Sequence, residues 1–314
     1  MPVLKGTTNF YDYDGSDILA ENLRSFYHYG LLEAGAYTNI NVNNNTSGYS
    51  ILQRVNDDRY IDGQIYEGMG PHWIWQNDIS PTTVLTSPFQ VSGVYVNQNF
   101  YPLSTSGVYK HSIDYARGRV IFASGLTPQH TDLVQCEYSF SDVAVYLADS
   151  PQWRTIVSEY VSQYNTLGTL APSGMAAILK QNRVWLPAIF IDVQNRTNTG
   201  LQLGGGELAE YAVFYHIFSD RPFTNKKLAE ILNNQETITL NLFNVNTIPT
   251  TFNYDGTLTG SGITFLNLNR KTSPYFWTFG HILSSKGGAR DNLVDLYLSN
   301  IIQQVEVERT MSTY

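Results

Sequence analysis

The sequence predicts an α+β protein: an N-terminal helix, a β-rich and sandwich-like domain, and then an α/β sheet domain. Three observations carry that prediction. Apolar residues recur at helical spacing between Ser16 and Ala34; the period drops to two from Tyr37 to about Phe140; and strand and helix patterns alternate from Val184 onward. The division that follows is residues 1–150 for the N-terminal domain, 151–182 for a helix and connection, and 183–314 for the C-terminal domain.

The first helix has its signals at both ends. Ser16 is placed to cap it, Asp17 and Glu21 sit near the positive end of its dipole, and Gly35 stops it. Leu19, Leu23, Phe26, Tyr27, Gly30 and Leu31 share one face, which is expected to be buried, while Glu21, Asn22 and Arg24 fall outside it.

In the β-rich stretch, short β-branched and aromatic runs are punctuated by Asn, Gly, Ser and Pro. Val91 to Val96 is expected to turn through Asn97-Gln98-Asn99 into Phe100-Tyr101. Ser112 to Tyr115 turns through Ala116-Arg117-Gly118 into Arg119 to Phe122. A third strand runs from Leu133 to Phe140 and on toward Val143 and Val145. Cys136, the single cysteine, alternates there with Val134, Tyr138 and Phe140, so it reads as a buried, inert thiol, and no disulfide can form within the chain.

Ser150-Pro151 is a helix start, with Trp153, Ile156, Val157 and Tyr160 turned inward. Thr166 to Gln181, rich in small residues and Pro, reads as a connection. Beyond it the expected order is a strand at Val184 to Val193, a strand at Glu207 to Phe218, a helix at Asn225 to Gln235 capped by Thr224, and a strand at Thr237 to Val245. Val213, Tyr215 and Ile217 share a strand face, and Leu228, Ile231 and Leu232 give the helix its stripe. Alternating segments follow near Gly262 to Asn267, Leu293 to Leu298 and Val305 to Arg309.

Composition narrows the function. Of 314 residues, 42% are hydrophobic and only 15% charged, with 22 tyrosines, so uncharged polar groups must cover much of the surface, a composition suited to subunit contacts. A formal net charge of −8 argues against a nucleic-acid binder, because sequence-independent affinity for phosphates comes from Lys and Arg. The N-terminal order Met1-Pro2-Val3-Leu4-Lys5-Gly6 is not that of a signal peptide. No apolar run approaches the roughly 20 residues of a membrane span, so a soluble protein with no membrane partner is expected.

Chemical motifs are sparse. Gly204-Gly205-Gly206 lacks the Gly-Lys-Ser/Thr of a phosphate loop and leads into a strand, so a bulge or tight bend is the better account. His28, His72, His111, His130, His216 and His281 are scattered singly, without zinc-ligand spacing. Asp12, Asp14 and Asp17 do not match a calcium loop and read as helix capping, and Asp57, Asp58 and Asp62 read as turn residues. No Gly-x-Ser-x-Gly elbow occurs. The expectation is a protein with no catalytic residues, cofactor or metal. In His72-Trp73-Ile74-Trp75, Trp73 and Trp75 serve either core and interface packing or stacking on a sugar ring.

Three segments, Leu23 to Gly35, Asp114 to Phe122 and Leu203-Gly204-Gly205-Gly206, resemble virion structural proteins of tailed bacteriophages. The C-terminal order of strands, a helix after the Asp220-Arg221-Pro222 loop, and further strands is similar to the tail-terminator and neck proteins of such phages, although the large β-rich domain makes this chain longer than a small terminator. The resemblance implies a virion protein that forms a ring, sixfold or twelvefold, between head and tail. Its neighbours would be portal or connector and tail-tube proteins, and DNA would pass through without being specifically bound. Trp73, Trp75, Arg117, Arg119 and Arg221 are the candidate contact residues. A receptor- or glycan-binding appendage and a virion-associated glycan hydrolase are the alternatives.

Overall fold

A computed structural model of the chain describes residues 13–42, 49–76, 78–81, 86–103, 107–164, 184–200, 206–248, 264–293 and 296–310. It is α+β, with few helices and mostly β-sheet. The chain divides into two compact units, one made of Met1–His28, Val143–Thr251 and Phe265–Tyr314, the other of Tyr29–Asp142 and Phe252–Thr264. This differs from the expected division at 150 and 183, because most of the first helix belongs with the C-terminal sheet. The connection expected at Thr166 to Gln181 lies outside the described residues.

Helix α1 (Gly15–Glu33) begins one residue earlier than expected, and its cap is Asp14, two residues before the expected Ser16. The Asp14 carboxylate accepts from the backbone N–H groups of Ser16 at 2.7 Å and Asp17 at 3.0 Å. It ends in a Schellman turn, with Gly35 at φ 82° donating to Leu32 and Ala36 donating to Leu31. Leu19, Leu23, Tyr27 and Leu31 are buried as expected, but so are Asn22 and Arg24, which the sequence put outside the apolar face, whereas Gly30 is exposed. Asn22 is buried because it stands in for a backbone pairing partner. Its amide nitrogen donates to the carbonyls of Ile18 and Phe243 at 2.7 and 2.9 Å, and its oxygen accepts from the Phe243 N–H at 2.9 Å.

The described residues of the unit around 29–142 form three small sheets. They are β1 (Tyr37–Ile40) with β9 (Tyr138–Ser141); β2 (Gln53–Val55), β3 (Ile65–Glu67), β7 (Arg119–Phe122) and β6 (His111–Asp114) in that order; and β5 (Asn99–Pro102), β4 (Gly93–Val96) and β8 (Val134–Cys136). Both expected hairpins form. Asn97 and Gln98, each at positive φ, make the two-residue turn of the first, and Gly118 at φ 65° closes the second. The third expected strand is a correction. The run from Leu133 to Leu147 breaks into β8, β9 and β10 (Ala144–Leu147), each of which joins a different sheet. It is buried on both sides, Gln135 and Ser139 as well as Val134, Cys136 and Tyr138, so alternation there reports no solvent face.

The other unit is organised by one six-stranded sheet that curls into a half-barrel. Its order is β10, β11 (Ala188–Gly200), β12 (Gly206–Ser219), β15 (Leu296–Thr310), β14 (Phe276–Leu293) and β13 (Ile238–Phe243). Only the β10–β11 pair is parallel. Helix α2 (Pro151–Tyr164) starts at Ser150, whose hydroxyl accepts from the Trp153 N–H at 3.3 Å. Trp153 and Val157 pack with buried Ile156 against Tyr146, Phe190 and Phe218.

Helix α3 (Pro222–Asn233) buries Asn225, Leu228, Ala229 and Leu232 against β12, β14 and β15. It begins before the expected cap: Thr224 lies inside the helix, and Arg221 is the N-cap without a side-chain bond. The segment near Gly262 to Asn267 is not a strand in its described part, where Phe265–Leu268 forms a single helical turn, α4. The whole of β14, with its glycines at 280, 287 and 288, went unforeseen.

Candidate functional site

The sheet of β10 to β15 has two unlike faces, and strict alternation along its central strands separates them. Ala209, Tyr211, Val213, Tyr215 and Ile217 of β12 are buried on one face, together with Ile301, Gln303, Val305 and Val307 of β15. α3 lies on this face. Asn225 donates to the carbonyls of Ile217 and Tyr297, both at 2.9 Å, and accepts from the Ser299 hydroxyl. Gln303 donates to the Leu232 carbonyl at 3.0 Å and accepts from the Tyr27 hydroxyl at 2.9 Å. Burial pushes the Tyr27 and Tyr215 phenols well above the usual tyrosine range, so both stay neutral.

The opposite face carries Glu210, Ala212, Phe214 and His216 of β12 beside Asn300, Ile302, Gln304 and Glu306 of β15. At one end Trp153 of α2 sits against Phe190, His216 and Phe218, with ring centroids 5.2, 4.9 and 6.3 Å away. Further along lies an open depression of about 250 Å³, lined by Thr197, Glu210, Ala212, Leu283, Gln304 and Glu306 among others. Glu210 and Glu306 are direct cross-strand partners, and Ala212 faces Gln304. Like charges directly opposite one another destabilise a strand pair, so this position favours an incoming cation. Leu283, at 43% exposure, supplies an apolar wall.

The five contact residues nominated from the sequence fall in two groups. Trp73, Arg117 and Arg119 belong to the unit of small sheets, where the Trp73 backbone N–H donates to Tyr115 at 2.7 Å and the Gly68 N–H to Gly118 at 3.0 Å, joining the 68–73 loop to the β6–β7 turn. Trp73 is only 2% exposed and stacks on Tyr138 at 4.0 Å. Its side chain is therefore core, and Trp75 is half-buried. Arg119 bridges Glu67 at 2.8 Å and Asp57 at 3.2 Å, and Arg117 pairs with Asp114 at 3.0 Å. Asp57, which also takes Arg59 at 2.6 Å, is held well below the usual carboxylate range by that neighbour first of all. These arginines are committed to local carboxylates. Arg221 is different. Its side chain is 78% exposed, with Asp220 the one carboxylate near it among the described residues, at 3.9 Å, and Phe223, two residues on, is 79% exposed.

Phe223 and the Glu210–Glu306 pair escaped the sequence reading, although each had a signal. Phe223 falls off the Leu228, Ile231, Leu232 stripe. Glu210 lies out of phase with Val213, Tyr215 and Ile217. Among the described residues no group of three or more His, Cys, Asp or Glu is placed to hold a metal ion, and no helix is long and apolar enough to cross a membrane. Burial raises the Cys136 thiol far above its ordinary range, which removes it as a nucleophile. Of the Gly204-Gly205-Gly206 triplet only Gly206, which opens β12, is described; the bend expected there lies outside the described residues. No protein-family model matches the chain, and no curated protein matches it significantly.

Proposed function

We propose that this chain is a structural virion subunit of a tailed phage that assembles into a ring in the neck, as a tail terminator or head-to-tail connector. The observation that carries the reading is the uneven edge coverage of the six-stranded sheet. β10 pairs with β11 only over Ala188 to Ile191, and β13 pairs with β14 only over Phe276 to Ile282. Among the described residues, no strand pairs with the outer edge of β11 from Asp192 to Thr197 or with that of β14 from Leu283 to Leu293. Unpaired backbone rows are a template for another chain. Rows on opposite edges of one sheet suit a repeated head-to-tail contact, which closes into rings when the rotation per subunit allows it.

Two further features support the same reading. The segments that resemble phage structural proteins coincide with defined elements, Leu23 to Gly35 with α1 and its terminating turn, and Asp114 to Phe122 with the β6–β7 hairpin. The acidic balance, formally −8, suits a channel that lets DNA pass without retaining it. The purified chain should form closed rings of six or twelve copies, visible by negative-stain imaging and weighed by mass photometry. A chain that stays monomeric at about 100 μM, alone and with virion neck proteins, refutes the proposal.

A further inference from the structure

We infer that the subunits join head to tail by a knob and a socket. The Arg221–Phe223 turn of one copy inserts into the depression between Glu210, Glu306 and Leu283 of the next. The inference deepens the ring reading and rests on it, adding to the strand edges a side-chain contact without which the head-to-tail joint does not hold. The knob is the first turn of α3, where Phe223 and Arg221 are 79% and 78% exposed, the one in residue and the other in side-chain terms. An uncovered aromatic side chain and an uncovered arginine, two residues apart on one turn, are residue types enriched at protein interfaces. Pro222 at the start of the helix fixes φ and holds the pair in place.

The socket matches in size, polarity and charge. Apolar cavities of about 150 Å³ accept a benzene ring, so a depression of about 250 Å³ has room for the phenyl group of Phe223. Leu283 and Ala212 supply apolar wall, and Glu210 and Glu306, opposed across β12 and β15, supply carboxylates for the Arg221 guanidinium. Docking would also place a cation between two like charges that repel each other in the isolated subunit. A chain cannot satisfy its own socket. α3 bonds through Leu232 to Gln303 on the buried face of the sheet, whereas Glu210, Ala212, Gln304 and Glu306 project from the opposite face. The occupant must be a second copy, and the contact is heterologous.

The test uses two full-length variants and their mixture. Phe223→Asp destroys the knob and leaves the socket. Glu306→Lys repels Arg221 from the socket, leaves the knob, and puts opposite charges across β12 and β15, so the fold is not threatened. Each variant alone should lose assembly, with association weakened about 30-fold or more, and should sediment as a monomer. Mixed in equal amounts they should form a 1:1 dimer and nothing larger, because one intact knob and one intact socket remain. Rings that persist in both variants overturn the knob-and-socket contact while leaving the ring itself. A mixture that stays monomeric overturns the pairing of these two surfaces. A wild-type chain that never assembles removes both the contact and the ring.

Discussion

Replacing Trp73 with alanine separates packing from recognition at the residue that the sequence offered for either role. The indole is 2% exposed and lies nearly parallel to Tyr138, 4.0 Å between centroids at 18°. Its Nε1–H donates to the Gly70 carbonyl at 2.8 Å. Truncating a buried Trp to Ala removes transfer energy and leaves a cavity, together about 3–5 kcal/mol. For a unit of this size each kcal/mol moves the midpoint by roughly 2–8 °C, so Trp73→Ala should lower the melting temperature of the 29–142 unit on the order of 10–20 °C. Near-UV circular dichroism on heating reads this directly. Trp73→Phe keeps an aromatic ring in the stack, forfeits the hydrogen bond to Gly70, and should cost about 1–2 kcal/mol. A Trp73→Ala protein that melts within about 2 °C of wild type, yet loses ring formation or retention on a polysaccharide column, would refute the packing argument and return Trp73 to the surface.

Gly118→Ala should destabilise by about 2–4 kcal/mol in urea titration, because at φ 65° its added Cβ would lie 2.2 Å from the Gly70 carbonyl oxygen; Gly107→Ala, at φ 109° with nothing within 4 Å, should lose less, and equal losses would contradict the account. Asn22→Ala removes two hydrogen bonds to the Phe243 backbone and should cost about 2–4 kcal/mol, visible as a lower urea midpoint. High pH should unfold the protein. Burial raises the Tyr27 and Tyr215 phenols and pushes Tyr138 up to about 12, so the unfolded chain releases these protons first, near pH 10. The stabilisation is complete below that pH and is lost as pH rises toward the folded values, by up to about 1.4 kcal/mol per pH unit for each tyrosine. Phenolate absorbance should climb together with loss of structure, and stability that stays flat from pH 8 to 11 would contradict this.

How much of this was legible in the sequence depended on whether local pattern and tertiary environment agreed. The C-terminal end of α1 was readable within a residue because Gly35 acts locally, through a left-handed turn, whereas the cap was placed at Ser16, two residues past Asp14, because either side chain can accept from the first turn. The burial of Asn22 and Arg24 was not, because periodicity marks them polar and carries no record of the Phe243 backbone, more than two hundred residues away, that Asn22 serves. The run from Leu133 to Phe140 and on toward Val145 looked like one strand because alternation does not encode which sheet a segment joins. β14 was missed for the opposite reason: its glycines depress strand propensity, yet a long antiparallel partner in β15 fixes it. Among the candidate contacts, residue type alone could not separate Arg119, spent on Glu67 and Asp57, from Arg221, left on an exposed turn.

The distribution of polar groups in the six-stranded sheet also bears on symmetry. On its buried face the polar residues are amides and hydroxyls: Asn22, Asn225, Ser299 and Gln303 satisfy one another or the backbone. Such groups fix how α1 and α3 sit on the strands without the desolvation penalty of buried ions. The charges of β12, β15 and the α3 turn lie elsewhere, and unequally: Glu210 and Glu306 are on the open face, Arg221 on the turn that leads into α3. Two copies meeting through the same open face would bring four carboxylates together, which costs association free energy at any register. An isologous dimer through that face is therefore disfavoured, and the proposed pairing, which sets the open face of one copy against the α3 turn of the next, would relieve the repulsion. That contact is directional, so each copy added leaves another knob and another socket exposed. Growth by the proposed contact ends in a closed ring where the rotation per copy completes a circle, and runs on as a filament where it does not.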